Sequence, residues 1–180
     1  EYGLTDKVDL IMGTFSKSLA TIGGFIATDS ETINFLKHHS RPYIFSASIS
    51  PAATASVIAA IDIIKQEPER IENLWKITDY ALKTFRELDF EIGNTSTPII
   101  PLYVRDMDKT FLITQELYEQ GIFINPVIPP ACSPEDTLIR FSLMATHTKK
   151  QVEEAIDKLY KTFCKYDIII LIIHFDSERM

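Results

Sequence analysis

The first quarter of the chain combines short apolar runs with glycines and small polar residues. Residues 8–12 are apolar except for Asp9 and include β-branched side chains, which predicts a strand covered on both faces. A second short strand is predicted over 23–27. A helix follows over 30–39, and Ser30 has the residue type of an N-cap. This part of the chain therefore predicts mixed strand and helix structure.

Two longer helices are expected next. Residues 41–46 are predicted to be extended and to lead into a loop, after which Pro51 opens a helix over 52–66. This helix is rich in alanine and branched residues, which predicts that it is buried. After Pro68 a more amphipathic helix is predicted over 69–88. The residues that recur near helical spacing in it are Ile71, Leu74, Trp75, Thr78, Leu82 and Phe85.

The remainder has a strand–helix–strand–strand–helix order. The predicted bounds are 99–104, 109–120, 122–127, 138–144 and 148–164. Gly121 ends the first of these helices, and Thr148 is the expected N-cap of the second. Pro126, Pro129 and Pro130 predict a stiff, irregular loop after the second strand. This order predicts a small α+β lobe.

Composition narrows the possible functions. The chain has 180 residues, of which 46% are hydrophobic and 24% charged, an ordinary balance for a globular protein with a sizeable core. Its net charge of −7, with no lysine or arginine run longer than two, argues against nucleic-acid binding. Cys132 and Cys164 provide neither a disulfide framework nor metal-ligand spacing. A reducing, cytoplasmic compartment is therefore expected.

The two ends of the sequence are unusual. The chain begins Glu-Tyr-Gly and enters an apolar run almost at once, so we expect it to be a C-terminal fragment of a longer protein. Residues 167–175 are mostly apolar, with Asp167 and His174 as the polar residues, and this stretch is shorter than the about 20 residues a membrane span needs. The sequence assigns no function to this tail.

Lys17 is the candidate catalytic residue. It lies in the segment Gly-Thr-Phe-Ser-Lys-Ser, after an apolar run and before a Gly-Gly pair. A lysine on a tight turn there can be partly removed from water, which favours a neutral amine that can condense with an aldehyde. Pyridoxal phosphate is anchored in its enzymes in this way. The alternative is an ordinary surface lysine on a loop.

The neighbours of Lys17 are suited to an anionic cofactor. Thr14 and Ser16 are close enough in sequence for both hydroxyls to reach one phosphate group, although simple turn chemistry also accounts for them. Gly23 and Gly24 permit a close backbone approach or a φ that other residues resist. We therefore predict that Thr14, Ser16 and Lys17 bind a cofactor.

Arg140 is the candidate substrate-binding residue. It stands in an otherwise apolar predicted strand, where a guanidinium needs an anionic partner because burying it unpaired is costly. Its planar fork suits a carboxylate held by two hydrogen bonds. The residues alone leave two alternatives open, a ligand carboxylate and an acidic side chain in a structural ion pair.

The segment 13–25, Gly-Thr-Phe-Ser-Lys-Ser-Leu-Ala-Thr-Ile-Gly-Gly-Phe, resembles the cofactor-lysine segment of the α-oxoamine synthases, and within them that of the bacterial serine palmitoyltransferases. The resemblance extends over about residues 1–165. It implies an α/β fold class, as the C-terminal part of a fold-type I pyridoxal-phosphate-dependent transferase. The implied divisions are a large-domain part over 1–68, a linking helix over 69–88, a small domain over 89–165 and an atypical apolar tail over 166–180.

The same resemblance implies roles for two further positions. A hydroxyl in the family segment that matches 41–51 contacts the cofactor phosphate of the other subunit, and by position this is Ser46. The alternative for Ser46 is a cap or loop serine. The family arginine that matches Arg140 binds the carboxylate of the amino-acid substrate. The proline-rich segment 125–131 matches a family loop over the active site, whereas His147 is expected to be structural. Because the Ser46 hydroxyl would contact the cofactor of the other subunit, the resemblance also implies a homodimer with shared active sites.

The implied activity is condensation of an amino acid, L-serine, with a long-chain acyl-CoA, palmitoyl-CoA. Carbon dioxide is lost and a 3-oxo amine forms, as in the first step of sphingolipid synthesis. Glycine C-acetyltransferase and 8-amino-7-oxononanoate synthase are the enzymatic alternatives. The Asp-Glu-Ala-His segment with which the family holds the cofactor ring lies before the stretch that matches residues 1–10, and this sequence does not contain it. An inactive remnant is thus a further alternative, and the chain alone is expected to be inactive.

Overall fold

The computed structural model describes residues 2–169, which form two compact units that divide between Pro68 and Glu69. Most of the predicted apolar tail, from residue 170 onward, lies outside the described residues. The described start of that tail packs into the second unit, where Ile169 is buried in the core. No helix within residues 2–169 is long and apolar enough to cross a membrane.

The first unit consists of a two-stranded ribbon and three helices. Its elements are β1 (Ile11–Thr14), β2 (Gly24–Ala27), α1 (Ser30–His39), α2 (Arg41–Ile44) and α3 (Pro51–Gln66). The strands are antiparallel, with Ile11 opposite Ala27 and Thr14 opposite Gly24. A short 3-10 turn over Thr5–Lys7 precedes them.

The prediction for the first strand was wrong in its bounds and in its burial. The strand occupies Ile11–Thr14 rather than 8–12, and the side chain of Met12 is 70% exposed. β1 pairs only with β2 among the described residues, so this narrow ribbon has no neighbouring strand to cover it. The second strand agrees with its prediction to within one residue.

Two local predictions in the first unit are also corrected. The N-cap of α1 is Asp29 rather than Ser30, because the Asp29 carboxylate accepts a hydrogen bond of 2.9 Å from the Thr32 amide. The segment 41–46 is not extended, since Arg41–Ile44 is helical. A proline in the first turn of a helix is compatible with this, because its missing N–H has no intrahelical partner there.

Helix α3 agrees with its predicted bounds to within one residue, but it does not have the predicted burial. Only Ala53 and Val57 are buried among its described side chains. The exposed isoleucines are Ile58, Ile61, Ile63 and Ile64. The helix therefore has more apolar surface than the described residues of the first unit bury.

The second unit confirms the predicted strand–helix–strand–strand–helix order after a first helix. Its elements are α4 (Glu69–Glu87), β3 (Ile99–Tyr103), α5 (Met107–Glu119), β4 (Asn125–Val127), β5 (Leu138–Ser142) and α6 (Lys149–Lys165). The three strands form an antiparallel sheet in the order β3-β5-β4, with β5 in the centre. β4 is shorter than predicted.

The core of the second unit lies against one face of this sheet. Inward-facing residues of β3 and β5, such as Ile100 and Ile139, form one hydrophobic cluster with residues of α4, α5 and α6. Phe85 of α4 is fully buried, and its ring meets those of Phe90 and Phe141 edge-on. Thr78 and Leu82 of the predicted apolar stripe are buried as well, whereas Ile71 and Trp75 are 50% and 44% exposed.

Helix α6 begins as the sequence predicts. Thr148 is its N-cap, and Thr148 and Gln151 form a reciprocal capping box. The capping box fixes the start of α6 at the end of the short segment that follows β5. Among residues 2–169, no helix packs a hydrophobic cluster against the opposite face of the sheet, and this is the face that bears Arg140.

Candidate functional site

The loop that carries Lys17 joins β1 to β2 and is closed by its own backbone. The Phe15 amide donates to the Gly23 carbonyl at 3.0 Å, and the Thr21 amide donates to the Phe15 carbonyl at 3.1 Å. A tighter turn lies inside, where the Ala20 amide donates to the carbonyl of Lys17 at 3.0 Å. Lys17 therefore lies within a backbone-closed turn directly after a strand.

The glycines around this loop are required by close approach. A Cβ on Gly24 would lie 2.6 Å from the carbonyl oxygen of Gly13. Gly23 has a φ of +106°, a conformation that L side chains rarely adopt, and a Cβ on it would meet Ile49 and Phe15. Both predicted reasons for the Gly-Gly pair, close approach and unusual φ, are present in the structure.

Three of the predicted cofactor-binding side chains lie at the strand end. The Ser16 hydroxyl donates to the Thr14 hydroxyl at 3.5 Å, so the two oxygens are adjacent. Thr14, Ser16 and Lys17 are all exposed, and within residues 2–169 Lys17 forms no ion pair. The expected partial removal of Lys17 from water is not present, because the ribbon that carries it is uncovered. The adjacent hydroxyls and the uncommitted amine remain available to a ligand.

Ser46 lies on a segment that packs near the Lys17 loop. Ile49, three residues further on, is the side chain that would contact a Cβ on Gly23. The Ser46 hydroxyl itself donates to the carbonyl oxygen of Pro42, one helical turn before it. It is exposed and makes no hydrogen bond with Thr14 or Ser16, so the structure brings the segment close to the loop through Ile49 and not through Ser46.

Arg140 lies at the middle of the central strand β5, on the open face of the sheet. Its neighbours in the strand, Ile139 and Phe141, face the core, while Arg140 is exposed. In register, Pro101 of β3 stands on one side of it and Asn125 of β4 on the other. Within the described residues, its guanidinium makes no ion pair and no hydrogen bond. A structural ion pair, the sequence-based alternative for Arg140, is therefore absent from this part of the chain.

Arg105 shows what a structural arginine looks like in the same unit. It donates to both carboxylate oxygens of Glu91, to the Asp136 carboxylate at 3.1 Å and to the Glu135 carbonyl at 3.1 Å. Its guanidinium also lies over the Tyr103 ring. These hydrogen bonds raise the pKa of Arg105 and lower the pKa of Glu91.

Asn125 is a candidate residue that the sequence analysis missed. It was predicted to lie in a proline-rich segment without an assigned role, and only the strand register places it opposite Arg140. No periodicity in the sequence reveals which residue of one strand faces which residue of another. The His147 ring accepts a 3.2 Å hydrogen bond from the Met144 amide, in agreement with a structural role. Across residues 2–169 no cluster of potential metal ligands is present.

Comparison with known proteins places the chain in a family. Residues 2–159 match the family described as aminotransferase class I and II. The serine palmitoyltransferase of Bacteroides ovatus is 64% identical over 168 residues, which cover 93% of this chain and 43% of that protein. The 8-amino-7-oxononanoate synthase of Petrotoga mobilis is 36% identical over 160 residues, covering 89% and 41% of the two chains. The chain thus spans less than half the length of these relatives.

Solved structures agree with the sequence matches. A serine palmitoyltransferase of Sphingomonas wittichii superimposes with a TM-score of 0.85 at 30% identity, covering 93% of this chain and 42% of that one. A structure described as SPT with a PLP internal aldimine also has a TM-score of 0.85, at 28% identity. The chain therefore belongs to the aminotransferase class I and II family, with the fold of the matching part of a fold-type I pyridoxal-phosphate transferase.

Proposed function

We propose that this chain is part of a serine palmitoyltransferase, a pyridoxal-phosphate-dependent enzyme that condenses L-serine with palmitoyl-CoA. The observation that carries the proposal is the 64% identity to the Bacteroides ovatus serine palmitoyltransferase over 93% of the chain. The identity to an 8-amino-7-oxononanoate synthase, at 36%, is much lower. The divisions at 1–68, 69–88 and 89–165 are proposed for the same enzyme.

The Lys17 loop has the chemical groups that pyridoxal phosphate requires. When bound, this cofactor withdraws electrons from the carbon next to the substrate's amino group. Lys17 would hold its aldehyde carbon through Nζ, and the adjacent Thr14 and Ser16 hydroxyls would donate hydrogen bonds to its phosphate. The exposed positions of all three side chains leave room for a ligand at the strand end.

Ser46 is proposed as a further phosphate ligand, to the cofactor of a second subunit. Its hydroxyl hydrogen is directed at the Pro42 carbonyl in this chain. A rotation about the side-chain bond would release that hydrogen for a phosphate oxygen, at the loss of one local hydrogen bond. This assignment makes the enzyme a homodimer in which each active site contains residues of both subunits.

Arg140 is proposed to hold the carboxylate of the amino-acid substrate. Its guanidinium is exposed and uncommitted among the described residues, so no internal ion pair has to be broken before a ligand binds. Holding the carboxylate with two parallel hydrogen bonds would fix the orientation of the substrate's Cα bonds. Lys17 Nζ, once free of the cofactor, would be the base that takes the Cα proton and later returns a proton to that carbon.

The substrate identities can be tested in a chimaeric enzyme in which this chain replaces the segment that it matches in the Bacteroides ovatus relative. CoA release is measured with a panel of amino acids against acyl-CoAs of different chain length. We expect the highest kcat/KM with L-serine and palmitoyl-CoA, as in the unmodified relative assayed beside it. A preference for glycine with acetyl-CoA would overturn the proposal.

The same assay addresses the alternative of an inactive remnant. A chimaera that folds and binds pyridoxal phosphate but releases no CoA with any substrate pair contradicts the enzyme proposal for this chain. A cytoplasmic location is proposed with the activity, because acyl-CoA substrates and two unpaired cysteines are compatible with a reducing compartment. Fractionation of cells that express the full-length protein would test the location.

A further inference from the structure

One row of residues on the open face of the second unit's sheet combines two uncommitted polar groups. Arg140 of β5 and Asn125 of β4 are directly opposite in the strand register. Opposite residues of an antiparallel pair project to the same face, with Cβ atoms about 4.5–5.5 Å apart. The guanidinium and the amide are thus close enough to contact one small ligand together.

Among the described residues, neither the Arg140 nor the Asn125 side chain is engaged in a polar contact. Both residues are exposed, and among the described residues neither side chain has a hydrogen-bond partner. The rows on either side contain no carboxylate, since Ile99 pairs with Ser142 and Tyr103 pairs with Leu138. This is notable in a chain with 25 acidic and 18 basic residues, because a nearby acid would be expected to neutralise Arg140.

The residue that pairs with Arg140 on the β3 side limits how a ligand can approach. Pro101 of β3, on the other side, has no side-chain hydrogen-bonding group. A carboxylate has about four acceptor positions, of which a guanidinium fork takes two. The side of the carboxylate facing β4 would meet the amide of Asn125, while the side facing β3 would meet only carbon.

We propose that Asn125 is a second binding residue for the substrate carboxylate, donating from Nδ2 to the oxygens that Arg140 holds. The inference rests on the proposed function, in which Arg140 binds the amino acid. It adds a residue that distinguishes a carboxylate from an uncharged group, since a hydrogen bond from the amide is stronger to an ionised acceptor than to a neutral one. The proposal also explains why an asparagine is suitable there, because an aspartate would itself neutralise Arg140.

The test compares Asn125→Ala, Asn125→Ser and Asn125→Asp in the chimaeric enzyme, with Asn94→Asp as the matched control at an exposed loop position of the same unit. We expect Asn125→Ala and Asn125→Ser to raise the KM for L-serine about tenfold, with little change in kcat. Asn125→Asp is expected to raise it further, because its carboxylate pairs with Arg140 in place of the substrate. Asn94→Asp, which adds the same charge, is expected to leave the KM unchanged.

Two further measurements separate this inference from the proposed function. Inhibition by L-serinamide, which lacks the carboxylate, is expected to be the same with Asn125→Ala as with the unmodified chimaera; a matching loss would mean that Asn125 only shapes the site. If Arg140→Ala raises the KM and the Asn125 variants do not, the inference is wrong and the proposed function stands. If Arg140→Ala has no effect on the KM, the proposed role of Arg140 is wrong, and the inference with it. If the variants change only subunit association, the row binds a protein carboxylate and the inference is overturned.

Discussion

Gly24 and Gly13 approach so closely across the ribbon that a Cβ on Gly24 would lie 2.6 Å from the Gly13 carbonyl oxygen. Real Cβ atoms essentially never approach another atom so closely, and the obstructing atom belongs to the backbone. A side chain at Gly24 would therefore separate β1 from β2. The two strands hold the ends of the loop that contains Lys17, so the position of the lysine depends on this contact.

We predict that Gly24→Ala disturbs the Lys17 loop while leaving the second unit intact. The amides of Phe15 and Thr21, which donate inside the loop, should lose protection in hydrogen exchange. Ser18→Ala, an exposed substitution in the same loop, is the control and should leave that protection unchanged. Equal protection in Gly24→Ala and the unmodified chain would show that the ribbon tolerates separation.

Lys17 is predicted to be the lysine that binds pyridoxal phosphate. In the chimaeric enzyme, Lys17→Ala should abolish the visible absorbance that the bound cofactor produces, because the proposed attachment point of the cofactor aldehyde is then missing. Borohydride reduction followed by peptide mass spectrometry should locate the cofactor on Lys17 in the unmodified protein. Lys37→Ala, on helix α1, serves as the control for an exposed lysine outside the loop. Unchanged absorbance in Lys17→Ala would remove the assignment.

The sequence predicted the second unit better than the first for a physical reason. In the second unit many apolar positions of the helices and strands find partners within the unit, so patterns such as Leu82 with Phe85 correspond to real burial. In the first unit most apolar residues of β1 and α3 remain exposed, although Ala53 and Val57 of α3 are buried. A hydrophobic pattern indicates that a residue favours burial, but it does not indicate which segment of the protein buries that residue.

The candidate site was predictable in its residue types but not in its geometry. The roles of Lys17 and of Arg140 were suggested by their side chains together with the family resemblance, and they stay predictions. The role of Asp29 as N-cap was missed by one position, because Asp29 and Ser30 are both good capping residues and only the hydrogen bond to Thr32 separates them. Asn125 was missed altogether, since cross-strand register is a tertiary property.

Phe85 is predicted to be a principal contributor to the stability of the second unit. Its ring is fully buried and lies 4.9 Å from the Phe90 ring and 5.1 Å from the Phe141 ring, centre to centre. Phe85→Ala should lower the free energy of unfolding by about 3–5 kcal/mol, since it leaves a cavity among these rings. Urea unfolding of the chain measures this, with Phe111→Ala, at a 46% exposed position, as the control. Similar losses for both variants would contradict the assignment of the core.

The pKa of Asp29 is predicted to be measurable through its own cap. Hydrogen bonds from the amide and hydroxyl of Thr32 lower the pKa of Asp29 from 3.8 to about 2. Because the folded pKa is below the unfolded one, the stabilisation is fully present above the unfolded value and is lost as the pH falls through about 2. The amide resonance of Thr32 should therefore titrate with a midpoint near that pH. Asp29→Asn keeps a capping acceptor without a carboxylate, so the Thr32 resonance of this variant should not show the titration step. A midpoint near 3.8 in the unmodified chain would contradict the hydrogen bonds proposed to lower the pKa of Asp29.

Arg105 and Arg140 are predicted to respond oppositely to truncation. Arg105 connects Glu91, Asp136 and the Glu135 backbone, so Arg105→Ala should lower the Tm of the chain slightly, because several hydrogen bonds are lost at once but water can replace the donor at these half-exposed acceptors. Arg140→Ala removes no contact within the described residues and should leave the Tm nearly unchanged, while it weakens L-serine binding in the chimaera. Thermal unfolding followed by circular dichroism, beside the KM for L-serine, distinguishes the two roles. A large loss of Tm in Arg140→Ala would mean that Arg140 is structural, because a guanidinium kept free for a ligand contributes little to the fold that presents it.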